Sequence, residues 1–238
     1  ANFDDFDPLA REPAVRLRYV EASDDLGAPD LIILPGTKST VADLGHLRKI
    51  GREQEIIAKV SAGIPIIGIC GGYQMLGSVI RDPDQIESTG RLTPGMGLLP
   101  VESLFFAVKS THQVKARSLA GFGLLAKARD AAISGYEIHM GQTDGGIAGR
   151  PFLIEQRSQQ TCSDGDGALS ADGNVVGTYI HGLFHNDGFR RAILQELAER
   201  KGITLATNPV EFSADEQYDR LAAHVRANLN MGLIERII

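Results

Sequence analysis

The run Ile64-Pro65-Ile66-Ile67-Gly68-Ile69-Cys70-Gly71-Gly72-Tyr73-Gln74-Met75-Leu76 constrains the fold more than any other stretch of the chain. Its first half is apolar, β-branched and preceded by a Gly-Pro-flanked break, which favours a short strand buried on both faces. Its second half reads as helix. Between them Gly68, Gly71 and Gly72 bracket Cys70 with the G-x-nucleophile-x-G spacing of a sharp strand-to-helix corner, sulfur replacing the usual hydroxyl. Side chains at the glycine positions would collide with the neighbouring strand or helix in so tight a turn. A thiol at such a corner sits at a helix start, where free amides and the helix dipole favour the thiolate. An inert core cysteine is the commoner fate of a free thiol, but such a residue does not need three flanking glycines.

The rest of the chain supplies a parallel α/β framework. Leu31-Ile32-Ile33-Leu34 is a second buried strand, running through Pro35-Gly36-Thr37-Lys38-Ser39-Thr40 into helical sequence. Val41, Leu44 and Leu47, then Ile56, Ile57 and Val60, keep helical spacing, with a break near Gly51 and a stop at Gly63. Strand, helix, strand, helix predicts an α/β fold with a mostly parallel central sheet flanked by helices. Val15–Val20 alternates with period two and is expected to add a strand. The glycine-rich stretch from Gly90 to Pro151 is expected to form strands at the sheet's edge. Asp164-Gly165-Asp166-Gly167 and Asp172-Gly173-Asn174 read as turns framing a hairpin. Val175–Ile180 is a strand ending at His181, followed by a helix with Phe189, Ile193, Leu194 and Leu197 on one face and Gly202 as its C-terminal stop. Ser213 and Glu216 form a capping box opening a last helix, with Leu221, Val225 and Leu229 expected inward. Residues 1–13 read as an interdomain linker, 14–205 as the main domain and 206–238 as a helical tail packed on it.

Composition narrows the function. A net charge of −6 without basic runs argues against nucleic acid as a main partner. No apolar stretch is long enough to span a bilayer, and the start carries no signal-peptide pattern, so a membrane role is not expected. Two cysteines, Cys70 and Cys162, cannot build a disulfide framework, and a reduced cytoplasmic setting follows as the simplest expectation. No Cys/His spacing resembles a zinc site, and Asp164–Gly167 lacks the calcium-loop pattern, so no metal is expected.

Ligands in open α/β sheets bind beyond the carboxyl ends of the strands. The loops Pro35–Thr40, Cys70–Gln74 and His181–Asn186 all fall at such ends. A thiol nucleophile needs a base to hold the thiolate and protonate the leaving group, and His181 is the best of six histidines for it. The N–H of Gly71 with one from Gly36 or Thr37 would form an oxyanion hole. The same Gly36–Thr40 loop lacks the upstream glycine of a phosphate loop, and Ser39 or Thr40 could cap the helix that follows it. Glu137 and His139 alternate, so they share one side of a strand that either lines the site or forms a solvated edge. His46 and His224 read as surface or packing residues, His112 and His185 as loop residues, and Cys162 as incidental.

Gly68-Ile69-Cys70-Gly71-Gly72-Tyr73-Gln74, with its upstream Pro-Gly loop and downstream strand-end histidine, resembles the class I glutamine amidotransferases, which are flavodoxin-like. Asn2–Leu9, Leu31–Thr40, Cys70–Gly77, Gly135–Gly141 and Gly177–Phe184 together resemble the C-terminal glutaminase half of the cobyric acid synthases. That resemblance implies attack by Cys70 on glutamine, an oxyanion held by Gly71 and the Gly36 loop, proton transfer by His181 and a glutamyl thioester. It implies that Gln74 helps hold the bound glutamine, and Glu137 and His139 are further candidates for substrate contact. It also implies an ATP-dependent amidoligase domain, normally N-terminal in the same polypeptide, that uses ATP and Mg to amidate side-chain carboxylates of a corrin. Within this chain no cofactor is implied, and its beginning resembles an interdomain junction. Typical members follow the histidine with H-x-E; here the triplet is His181-Gly182-Leu183, so a Cys-His dyad is expected, oriented by a carbonyl or a distant carboxylate such as Glu137. Competing readings are a stand-alone amidotransferase subunit for lipid II, a catalytically silent interaction domain and, more remotely, a peptidase.

Overall fold

A computed structural model describes residues 3–145, 149–205, 214–234 and 236. The chain divides into two units, Ala1–Leu205 and Ala206–Ile238, each taken here by itself.

The first unit opens with a 3₁₀ turn, Phe3–Phe6, and a short helix α1, Asp7–Ala10. A four-stranded sheet follows from β1 (Ile32–Leu34), β2 (Ile66–Ile69), β9 (Ala168–Leu169) and β10 (Val175–Thr178), in the order β1-β2-β10-β9. β1, β2 and β10 run parallel, and β9 is antiparallel to β10. All four residues of β2 are buried, as its unbroken apolar sequence requires of a strand covered on both faces. Helices α2 (Thr40–Lys49) and α3 (Arg52–Ser61) cross over between β1 and β2, and α4 (Gly71–Leu76) leaves β2 directly. Gly51 and Gly63 sit at the two breaks with φ of 77° and 94°, left-handed values that glycine adopts without steric cost. After β10 come the two-residue strand β11 (Ile180–His181), a 3₁₀ turn over Leu183–His185 and helix α5 (Asp187–Arg200). Phe189 and Ile193 of α5 are fully buried, and Gly202 ends the helix in the left-handed region.

Residues 90–151 do not merely extend the central sheet. They supply β4 (Leu92–Pro94), β5 (Val101–Ser118) and β6 (Ala132–Gly145) of a second, seven-stranded sheet, which also takes in β3 (Val79–Arg81), β7 (Phe152–Arg157) and β8 (Gln160–Asp166), with β11 on its edge. β5 and β6 pair antiparallel across a bulge between Leu104 and Lys109. Asp164–Asp166 belongs to β8 and is no turn, whereas the Asp172–Asn174 turn does join β9 to β10.

Three further expectations change. Val15–Val20 is not a strand; Val15 and Leu17 pack against the core but no ladder forms. Residues 3–10 contribute Asp5, Phe6, Pro8 and Leu9 to the buried interior, unlike a linker. In the second unit, α6 (Ala214–Asn228) and α7 (Met231–Ile234) are helical, but Leu221 and Leu229 are exposed and Val225 lies at the exposed limit, instead of facing inward. Ser213 lies outside the described residues.

Candidate active site

Cys70 ends the link between β2 and α4 with φ 53° and ψ −110°, a conformation that non-glycine residues avoid. The surrounding packing holds it there. Its N–H donates to Thr178 O at 2.8 Å, and its carbonyl receives the Gln74 N–H at 3.1 Å. A Cβ on Gly68 would meet Leu76 Cδ1 at 2.6 Å, one on Gly71 would meet Thr37 Cγ2 at 2.6 Å, and one on Gly72 would meet Leu34 O at 2.1 Å. The glycines thus let helix and strands close around the cysteine, as the sequence indicates. Tyr73, the next large side chain, is fully buried against Gly177 of β10.

His181 comes from β11, 111 positions downstream, and is buried beside the thiol. A Cβ on Gly36 would lie 3.4 Å from Cys70 Cβ and 3.4 Å from His181 Nε2, so nucleophile, imidazole and the Gly36 loop meet at one point. Nε2 is buried and makes no formed hydrogen bond among the described residues, while Cys70 Sγ contacts Ile138 O at 3.5 Å. Catalytic hydrogen bonds are commonly loose before substrate binds.

The other imidazole nitrogen identifies the residue that sequence reasoning missed. Nδ1 of His181 lies 2.7 Å from Asp5 Oδ2, and Asp5 Oδ1 accepts the Gly182 N–H at 2.8 Å. Both side chains are nearly inaccessible to solvent, at 4% and 2%. Burial alone would lower the His181 pKa; the Asp5 carboxylate and the Cys70 thiol outweigh it and push it up to about 9. Asp5 therefore has the place of the third member of a triad: it orients the ring and stabilises imidazolium. Glu137 does not. It is paired through both oxygens with Arg157, at 2.7 and 3.3 Å, and that guanidinium also binds Asp164. Of the expected orienting groups, a carbonyl or a distant carboxylate such as Glu137, the structure has a distant carboxylate, but it is Asp5 and not Glu137. Register places His181 opposite Tyr136 on β6, and the Tyr136 ring stacks on the imidazole at 4.9 Å and 6°. No local spacing ties Asp5 to residue 181, and of Phe3-Asp4-Asp5-Phe6 only Asp5 and Phe6 are buried.

The remaining candidates surround this centre. His139 stacks on Tyr179 at 3.9 Å, donates from Nδ1 to Gly141 O at 3.0 Å, and is held below its ordinary pKa by burial. Gln74, one helical turn after Cys70, is buried; its amide donates to Met140 O and Tyr179 Oη and accepts from Thr40 Oγ1, each at 3.1 Å. Tyr179 Oη in turn contacts Thr143 Oγ1 at 2.6 Å, which is 2.7 Å from Ser103 Oγ. This buried string ties α4 to β5 and β6. Ser39 stands at the start of α2 but makes no side-chain cap; Thr40 N–H donates instead to Glu87 Oε2 at 3.0 Å. His46 and His224 are exposed on helices; His112 lies on β5 against Ser158, and His185 binds the Asp4 carbonyl. Cys162 lies on β8 and contacts Ile154 O. Among the described residues no group of three His, Cys, Asp or Glu side chains could hold a metal ion, and no helix is long and apolar enough to cross a membrane.

Comparison with known proteins gives the family and the fold. Residues 1–189 match the model of the CobB/CobQ-like glutamine amidotransferase domain. Cobyric acid synthase of Sorangium cellulosum is 44% identical over the whole chain, which covers 48% of that protein. The Moorella thermoacetica cobyric acid synthase is 42% identical, covering 100% of the chain and 46% of the relative. That of Roseiflexus castenholzii is 46% identical, covering 95% of the chain and 44% of the relative. The chain spans about half the length of the curated relatives it matches. A solved glutamine amidotransferase superposes with a TM-score of 0.53 at 17% identity, over 84% of this chain and 95% of that one. A structure of PurLQS from Thermotoga maritima superposes with a TM-score of 0.56 at 19% identity, covering 83% and 92% of the two chains. Both show the shared α/β fold.

Proposed function

The chain belongs to the CobB/CobQ-like glutamine amidotransferase family, and we propose that it is the glutaminase half of a cobyric acid synthase, working through Cys70, His181 and Asp5. The observation that carries this reading is the buried Asp5–His181 contact, which leaves Nε2 turned to the strained cysteine.

The chemistry runs from that pairing. Neutral His181 takes the Cys70 Sγ proton onto Nε2, leaving a thiolate beside an imidazolium that its pKa of about 9 favours. The Cys70 sulfur attacks the side-chain carbonyl carbon of glutamine, forming a C–S bond and an oxyanion. The N–H groups of Gly71 and of the Gly36 loop receive that charge. His181 gives its Nε2 proton to the amide nitrogen, the C–N bond breaks and ammonia leaves, with a glutamyl thioester behind. Now neutral, His181 takes a proton from water, whose oxygen attacks the thioester and releases glutamate. Gln74, His139 and Glu137 would border the bound glutamine. Gln74 does so indirectly, since its own amide is occupied in holding Met140 and Tyr179.

Ammonia would pass to an ATP-dependent amidoligase domain, which uses ATP and Mg and amidates carboxylates of a corrin. The length of the relatives supports that partner. A silent binding domain would gain nothing from a cysteine held at positive φ. The test is stoichiometric labelling by a glutamine-analogue diazoketone. Cys70 should be the modified residue, and Cys70→Ala should lose glutamine-dependent but keep ammonia-dependent synthesis in the assembled enzyme. Glutamine use retained by Cys70→Ala would refute the assignment.

A further inference from the structure

The chain passes between the two sheets at two neighbouring places. Asp166 ends β8 of the second sheet and, after Gly167, Ala168 begins β9 of the first. Thr178 ends β10 of the first sheet and, after Tyr179, Ile180 begins β11 of the second. The two crossings touch. Gly177 pairs with Ala168, and a Cβ on Gly167 would lie 2.2 Å from Gly177 O. Asp166, Thr178, Tyr179 and Ile180 are all buried, so their polar groups must find partners inside the fold.

The Asp166 carboxylate supplies those partners. Oδ1 accepts the Tyr179 N–H at 3.2 Å; Oδ2 accepts the Thr178 hydroxyl, whose oxygen in turn accepts the Ile180 N–H at 3.0 Å. The Tyr179 N–H and the Thr178 carbonyl belong to one planar peptide. That carbonyl accepts the Cys70 N–H at 2.8 Å. One rigid plane is therefore gripped by Asp166 on one side and by the amide of Cys70 on the other, with His181 two residues beyond Tyr179. Burial and the nearby Glu137 push the Asp166 pKa up to about 6, against the hydrogen bonds from Thr178 and Tyr179 and the charge of Arg150, so the carboxylate is the main form at neutral pH. A carboxylate accepts at both oxygens, whereas an amide of the same shape accepts at one end and donates at the other.

We propose that Asp166 is a positioning residue for glutamine hydrolysis: through the 178–179 peptide it sets the place of the Cys70 sulfur relative to the His181 ring. The proposal rests on the assignment of those two residues as nucleophile and base. Asp166 acts through Thr178 and Tyr179 and takes no part in the chemistry itself.

Inactivation by the glutamine-analogue diazoketone, followed as rate against reagent concentration in the assembled enzyme, separates positioning from binding. Asp166→Asn should lower the maximal rate at Cys70 by about 100-fold, while the half-saturating concentration moves by less than about threefold. Thr178→Val removes the bridging hydroxyl and should give a similar loss. Thr178→Ser keeps that hydroxyl and should restore the rate relative to Thr178→Val. Combining Asp166→Asn with Thr178→Val should cost no more than either alone, because the two residues act as a unit. If Asp166→Asn fails to fold, the comparison of Thr178→Val with Thr178→Ser carries the test. A folded Asp166→Asn protein with a lower melting temperature but the parental maximal rate would make the residue structural only and overturn the proposal. Equal losses in Thr178→Val and Thr178→Ser would do the same. Neither result touches the assignment of Cys70, which stands on labelling of the parent; a parent left unlabelled at Cys70 would overturn that reading and this proposal with it.

Discussion

Asp5 and His181 together set how a proton moves at this site. The imidazole is raised to about 9 against the opposing effect of burial, because the Asp5 carboxylate and the Cys70 thiol stabilise its charged form. In the proposed mechanism the imidazolium is the acid that expels ammonia, so activity should fall on an alkaline limb near pH 9. Asp5→Asn keeps the shape but removes the charge: the alkaline limb should move toward pH 6.5, and kcat should drop by about 10³- to 10⁴-fold. A pH–rate profile of both proteins checks this; an unmoved limb would mean that Asp5 does not tune the ring. Gly36→Ala acts on the same centre by size. The added methyl would lie 2.7 Å from His181 Cε1, so the ring must shift out of its present place. A loss of about 10²-fold in kcat with little change in melting temperature is expected.

At the scale of elements, the corner between β2 and α4 depends on glycine where main chains cross. Gly177→Ala would place a methyl 1.9 Å from the Tyr73 ring, inside a parallel sheet where neither β10 nor the buried tyrosine can yield. A destabilisation of about 3 kcal/mol is expected. Gly45 of α2 is the contrasting case, since an added methyl there meets nothing within 4 Å. Gly45→Ala should raise stability by about 0.5–1 kcal/mol through helix propensity. Denaturant titration of the two variants distinguishes close packing from mere glycine content. These elements were largely readable in advance: the breaks at Gly51 and Gly63, the apolar run of β2 and the end of α5 at Gly202 all appear where local chemistry put them. The long β5–β6 pairing was not, because its bulged register is set by contacts between residues some 30 to 40 positions apart.

For the whole molecule, the first thirteen residues decide more than their length suggests. Asp5 reaches His181, Phe6 and Leu9 enter the core, and Glu12 pairs with buried Arg190 at 2.7 Å. Deleting residues 1–13 should therefore abolish glutamine hydrolysis and lower the melting temperature, as activity assays and calorimetry would show. The Asp5–His181 pair also links stability to pH. A histidine raised in the folded state contributes stability that is full below its unfolded pKa of about 6.5 and is lost as pH rises through about 9. The stability difference between the parent and Asp5→Asn should shrink across that window; a difference independent of pH would show that the pair does not carry the coupling.

The amino-acid order alone specifies the glycine-hinged corner and the parallel strands around it, since each follows from local sterics and hydrophobic period within a few residues. It could not specify what steadies the imidazole. Asp5 and Glu137 are both acidic residues far from position 181, and only packing decides that one is brought to Nδ1 while the other is claimed by Arg157. Which of two distant carboxylates reaches a buried ring depends on how the whole chain closes, and no local pattern records that.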